Sequence, residues 1–179
     1  HYDVAIIGGG FTGMSAARHL AKAGSKIVVL DAREVGQGAS CRNGGHLNNG
    51  MAHGYRDAMS RFGADGARQM YHAYDTSIEE ESIDCNFRRS GKLKLASKPG
   101  HVDGLKASCD LIHQEADPDV VFLDRADLTG EIATQAAFAG MLYPKSAMMH
   151  MGRYMCGLAS AVVRHGGEVV ENAPVTGLQ

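Results

Sequence analysis

Six residues near the start of the chain, Gly8-Gly9-Gly10-Phe11-Thr12-Gly13, have the types and spacing to hold an anion. An apolar run from Tyr2 to Ile7 feeds directly into them, and a helical pattern leaves them from about Gly13 to Ala23. Ile27 to Leu30 is a second apolar run, closed by Asp31. Strand, glycine turn, helix, strand and acid make up the dinucleotide-binding fingerprint. Gly8 suits the tight turn out of the strand, Gly10 lets the backbone approach a pyrophosphate, and Gly13 lets the helix lie close to the sheet. The helix N-terminus offers free N–H groups and a partial positive charge to phosphates. Asp31 would accept hydrogen bonds from a ribose. Its charge would repel a 2′-phosphate, which argues against NADP. The surroundings support more than an ordinary βα turn. Ala17 and Leu20 fall on the side of the helix that must face a sheet, Gly24 falls where the helix must stop, and Ile27 and Val29 alternate before the acid.

A second glycine-rich stretch covers residues 36–50: Gly-Gln-Gly-Ala-Ser-Cys-Arg-Asn-Gly-Gly-His-Leu-Asn-Asn-Gly. It is too polar for a core helix. A flexible surface loop would account for it. So would a second backbone cradle, in which Gly and Ser keep N–H groups open to a large ligand. In that cradle Arg42 could offset phosphate charge, and Asn43 could offer a donor and an acceptor to a heterocycle.

The GGGFTG turn, the acid at 31 and the GASCRNGG run together resemble the start of the FAD-dependent amine and amino-acid oxidoreductases. This is the D-amino-acid-oxidase-like superfamily, and the chain is most similar to its gamma-glutamylputrescine oxidoreductase type. The chain departs from that pattern at Cys41, where glycine is frequent, and at His46, where glutamine is frequent. The resemblance implies FAD as cofactor, with Gly8, Gly10 and Gly13 facing its pyrophosphate and Asp31 its adenosine ribose. Phe11, Thr12, Ala32 and Arg33 join that cofactor-binding set. Ser40, Arg42, Asn43, Gly44 and Gly45 would line the pyrophosphate and the approach to the flavin ring. His46 becomes the candidate for a residue near the ring. An imidazole that hydrogen-bonds its own loop would explain His46 equally well.

These residues need elements to position them. Tyr55 to about Ile83 reads as helix, with Met59, Phe62, Ala67, Met70, Tyr71, Tyr74 and Ile78 at three- and four-residue spacings and a division near residues 63–66. Glu79-Glu80-Glu81 reads as a solvated face. Phe87 to Ala96 alternates as a strand, Leu93 and Leu95 on one face and Lys92 and Lys94 on the other, with a turn at Ser90-Gly91. A helix is expected over 101–116 and strand over 120–123. A helical turn follows at 125–128, then strand over 138–143, helix over 150–165 and strand over 168–170 and 174–178. Gly140 to Tyr154 and Asn172-Ala173-Pro174-Val175 continue the family resemblance, with Met151 where a proline is frequent. The fold expected is α/β: a partial Rossmann-like FAD-binding domain over 1–85 and 149–179. A partial substrate domain with a mixed or antiparallel sheet is inserted over 86–148.

Composition narrows the function further. The chain has 179 residues and a net charge of −2, so no large basic field exists for nucleic acid. No apolar stretch approaches a membrane span. The four cysteines, at 41, 85, 109 and 156, show no CxxC or CxxxxC pair, so metal, disulfide-scaffold and disulfide-reductase readings are set aside and a reduced cytoplasmic protein is expected. The absence of an initiator methionine and the abrupt end read as a fragment of a longer protein. By the resemblance, the parent is an oxidoreductase taking hydride from the carbon beside a nitrogen. Its substrate would be a small amine or amino acid, such as a polyamine derivative or an N-substituted amino acid. Arg88 or Arg89 could bind a substrate carboxylate, but neighbours on a strand point to opposite faces, so at most one would serve. An NAD-dependent dehydrogenase is the rival reading, against which stands the 36–50 loop. A non-catalytic, truncated dinucleotide-binding module is another. On that reading the fragment alone is expected to bind FAD weakly or not at all. Oligomeric state is not readable.

Overall fold

Along the chain run β1 (Val4–Ile7), α1 (Phe11–Lys22), β2 (Ile27–Leu30), β3 (His46–Leu47), α2 (Tyr55–Thr76), β4 (Lys92–Ala96), α3 (Val102–Glu115), β5 (Val121–Leu123), β6 (Ala139–Tyr143), β7 (Ala147–Met148), α4 (Met151–Arg164) and β8 (Glu168–Val170). The structure is a computed structural model that describes residues 1–48, 54–76 and 83–177. Ile78 and the 79–81 acidic run lie outside the described residues, as does the side chain of Tyr74. Two compact units divide the chain: His1–Gly45 with Ser82–Phe87 and Met149–Gln179, and His46–Glu81 with Arg88–Met148.

The first unit holds a parallel sheet of order β1-β2-β8. Val4 pairs with Ile27 and Ile7 with Leu30, while Leu30 pairs with Val170 on the other side. Flanked by two strands, β2 buries Ile27, Val28 and Val29 in succession, as a central parallel strand must. Helix α1 buries Met14, Ala17, Arg18 and Ala21, a stripe at three- and four-residue spacing. Helix α4 does the same with Met151, Met155, Leu158, Ala161 and Val162. These two stripes close over Ile27 and Val29 to form one core. The strand expected over 174–178 does not form among the described residues. Asn172 turns the chain with a left-handed backbone (φ 54), and Pro174 has no N–H for a ladder.

The second unit holds an antiparallel sheet of order β4-β6-β5 and a separate β3–β7 ribbon. Lys92 stands opposite Tyr143, Lys94 opposite Met141, and Phe122 opposite Met141. Opposite residues share a face, and Tyr143 and Met141 lie in the core with Leu105, Cys109 and Ile112 of α3. The lysines of β4 therefore flank the helix-packed face, while Leu95 is 38% exposed. The alternation is the expected one, but it does not divide a buried face from a solvated one: Lys92 and Leu93 are half-buried, Lys94 and Leu95 exposed, and Ala96 buried. Lys92 is tolerated there because its ammonium lies 4.0 Å from the Tyr143 ring centroid, and desolvation pushes its pKa down.

Helix α2 leaves helical geometry at Gly63 (φ 73, ψ 169), inside the division expected near 63–66. The break leaves Phe62 56% exposed instead of buried. Tyr55, Ala58, Ala67 and Tyr71 pack into the same core as α3 and β6, so by packing α2 stands in the second unit, not with residues 1–45. Among the described residues no helix is long and apolar enough to cross a membrane.

Candidate functional site

Chain geometry makes the glycine turn a cradle. Gly8 leaves β1 with φ +99, a region side chains disfavour. A Cβ on Gly13 would lie 1.9 Å from the Gly8 carbonyl oxygen, so only glycine lets α1 start this close to the strand. The first bond of the α1 ladder runs from the Met14 N–H to the Gly10 carbonyl. The N–H groups of the turn before it stand outside that ladder. No side chain caps α1 at Gly10, and its first turn carries no acid. A helix end with no cap from its own Gly10 and no acid in its first turn is the arrangement that receives a phosphate.

Two long-range bonds fix the cradle. The Asp31 carboxylate accepts the Gly9 N–H at 2.6 Å through one oxygen and the Arg33 N–H at 2.9 Å through the other. A carboxylate has about four acceptor positions, so each oxygen keeps capacity for a ribose hydroxyl. Ser40 Oγ accepts the Phe11 N–H at 3.1 Å, which joins the second glycine loop to the first. Phe11 also sets its ring against Tyr154 of α4, 5.8 Å between centroids. Thr12, Ala32 and Arg33 are exposed at the rim.

The second loop is ordered by its own asparagine. Ala39–Cys41 form a 3-10 turn. The Asn43 amide donates to the carbonyls of Ser40 at 2.9 Å and Ala39 at 3.3 Å, and its oxygen accepts the Gly45 N–H at 2.9 Å. The geometry thus gives Asn43 a loop-shaping role. Arg42 is exposed, beside exposed Gly44, and its guanidinium is uncommitted among the described residues. Burial pushes the Cys41 thiol up, with a smaller contribution from Cys156, so Cys41 is a filler rather than a nucleophile. Gly45 is buried and its carbonyl accepts the Met149 N–H at 3.0 Å. His46, the next residue, is exposed and begins the second unit.

Sequence reasoning missed Glu171. Its carboxylate accepts the Val35 N–H at 2.7 Å, and the Ala173 N–H reaches the Asp31 carbonyl at 2.8 Å. The signal was present: an acid follows β8 as Asp31 follows β2, and the two strands are parallel neighbours.

Residues 3–179 match the family described as FAD dependent oxidoreductase, and the chain belongs to it. It is 32% identical to the gamma-glutamylputrescine oxidoreductase of Escherichia coli, over 99% of this chain and 43% of that protein. It is 32% identical to the probable oxidoreductase OrdL of Haemophilus influenzae, over 98% of this chain and 42% of that protein. The crystal structure of glycine oxidase from Bacillus cereus superposes with a TM-score of 0.76 at 22% identity, covering all of this chain and 48% of that one. The chain spans less than half the length of these relatives. FAD is the family's cofactor, and the residues present fit it: the acid-free helix end suits a diphosphate, and Asp31 retains acceptor capacity. The NAD-dependent alternative has no support from this match.

Proposed function

We propose that the chain forms the FAD-holding part of an enzyme that oxidises the CH–NH bond of a small amine or amino acid. The observation that carries this reading is the pair of bonds, Gly9 to Asp31 and Phe11 to Ser40, that brings both glycine loops to the open end of α1. The N–H groups of the turn outside those two bonds, Gly10, Thr12 and Gly13, would hold the diphosphate, and Arg42 would add positive charge. Asp31 would receive the ribose hydroxyls. Asn43 holds the loop that carries Gly44 and Gly45 toward the ring. When bound, FAD supplies the hydride acceptor. The protein's own work is orientation, and a neutral substrate amine would need no catalytic base. The named substrate of the Escherichia coli relative, gamma-glutamylputrescine, places polyamine derivatives first among the amines to test.

The test uses the protein from the full reading frame that encodes this chain. It is purified, its visible absorption is recorded, and amines are added without oxygen. A yellow protein bleached by gamma-glutamylputrescine or by N-methyl amino acids is the expected result. A yellow protein indifferent to every amine would sink the amine assignment. A colourless protein that refuses added FAD would overturn the reading of the two glycine loops.

A further inference from the structure

The turn that follows β2 is held by the segment that follows β8. Asp31 is fixed on both sides of its own backbone. Its N–H donates to the Val170 carbonyl at 2.9 Å, and its carbonyl accepts the Ala173 N–H at 2.8 Å. The Asn172 N–H donates to the Arg33 carbonyl at 3.4 Å. Asn172 has a left-handed backbone (φ 54) that turns the chain back after β8, a conformation asparagine accepts more readily than most side chains. A fourth bond comes from a side chain: Oε1 of Glu171 accepts the Val35 N–H at 2.7 Å. All of these residues stand in the first unit, with the glycine turn.

Hydrogen bonds matter here because packing contributes little. Ala32, Arg33 and Glu34 are exposed, and the side chain of Val35 is where the turn rejoins the core. The bond to Glu171 therefore fastens the far end of the turn, as the bonds to Val170 and Ala173 fasten the near end. Between them the Asp31 carboxylate spans two segments, bonding the Gly9 N–H on one side and the Arg33 N–H on the other. A ribose can use only the acceptor positions left over, so the setting of the turn decides where those positions lie. Glu171 is itself exposed. Water could satisfy the Val35 N–H in its place at small cost to stability. What water could not supply is a fixed turn.

We propose that Glu171 is a positioning residue for the adenylate half of FAD: through the Val35 N–H it holds the 31–35 turn, and so keeps the free acceptor positions of Asp31 in place for the ribose hydroxyls. The proposal rests on the reading above in which Asp31 receives that ribose. Glu171 acts through Asp31 and not by touching the cofactor. A carboxylate suits the task because its bond to an N–H is charge-assisted. Glutamine keeps an acceptor oxygen at the same position, whereas methionine, of similar length, has no such oxygen.

The experiment uses the full-length protein, freed of flavin and titrated with FAD while flavin fluorescence is read. E171M is expected to raise the Kd for FAD about fivefold to tenfold, the scale of one charge-assisted hydrogen bond partly open to water. E171Q should stay within twofold of wild type. D31N should weaken FAD binding by itself. In the D31N background E171M should add less than twofold, because the charged acceptor it would place is gone. Should E171M not fold without flavin, dissociation of FAD from its holoprotein is timed instead, with the same fold-change expected and the same recovery in E171Q. A wild-type affinity in E171M beside a weakened D31N would overturn the proposal alone. So would an E171Q as weak as E171M, or an equal loss in both backgrounds, which would mark a general structural role. A D31N protein that binds FAD as wild type does would remove the reading of Asp31, and this proposal with it.

Discussion

Gly13 shows how a single residue decides the site. Its missing Cβ is what lets α1 begin against the Gly8 carbonyl. In G13A the helix start must shift, at a cost of about 1–3 kcal/mol for an overpacked position. The turn's N–H groups shift with it. G13A should therefore emerge from purification with a visible-to-ultraviolet absorbance ratio far below that of wild type, while its far-ultraviolet circular dichroism stays near normal. A wild-type ratio would mean that the turn does not hold the flavin. Gly8, Gly13 and Asp31 were legible in the sequence because the demands on them are local: a turn, a close approach, an acid at a strand end. The bond from Phe11 to Ser40 was legible only as a shared resemblance, since the two residues lie on separate loops. The acid after β8 was legible as a parallel to Asp31, but its bond to Val35 was not, because the two residues are remote in sequence.

At the scale of elements, β4 and β6 carry the clearest titration. Burial, with Cys109 and Asp117 adding, pushes Tyr143 up to about 12. An unfolded tyrosine ionises near ~10. Between these values the unfolded chain releases a proton that the folded chain keeps, so stability falls as pH rises through the window. Below about 10 this contribution is whole. Y143F lacks the ionisation. The stability advantage of wild type over Y143F should shrink by about 2–3 kcal/mol across the window, read from urea midpoints at successive pH values. A constant difference would mean that Tyr143 titrates normally in the folded state. Element positions were legible from periodicity, as α3 and α4 show. The half-burial of Lys92 was not, because a lysine signals solvent by type, and the ring of Tyr143 opposite it is brought there by the β4–β6 pairing.

At the scale of the whole molecule, the described residues form two cores, one around Ile27, Met155 and Val162 and one around Tyr71, Leu105 and Met141. The ion pair of Lys145 with buried Asp117 belongs to the second. The hydrogen bond with Asp117 pushes the Lys145 pKa up against a smaller opposing effect of burial. K145M leaves Asp117 with the Tyr71 hydroxyl and the Asp119 N–H but no cation. The expected cost is about 1–3 kcal/mol. Hydrogen exchange should accelerate in peptides of α3, β5 and β6 and stay unchanged in those of β1, α1 and β2. Equal acceleration in both sets would show that the two cores do not respond separately. Sequence order alone puts α2 with the first unit. The helix follows the glycine loops in the chain, but its buried residues Tyr55, Ala58, Ala67 and Tyr71 select their partners by packing.

The sequence by itself determined the class of ligand, the family and the order of elements, because turn geometry, strand alternation and helix periodicity are short-range properties written in neighbouring residues. Only the tertiary structure decided that Glu171 holds the segment after β2 and that Arg88 shares a face with His46. Each of these depends on which distant strands pair and in what register, and register is set by the packing of the whole chain, not by any one segment.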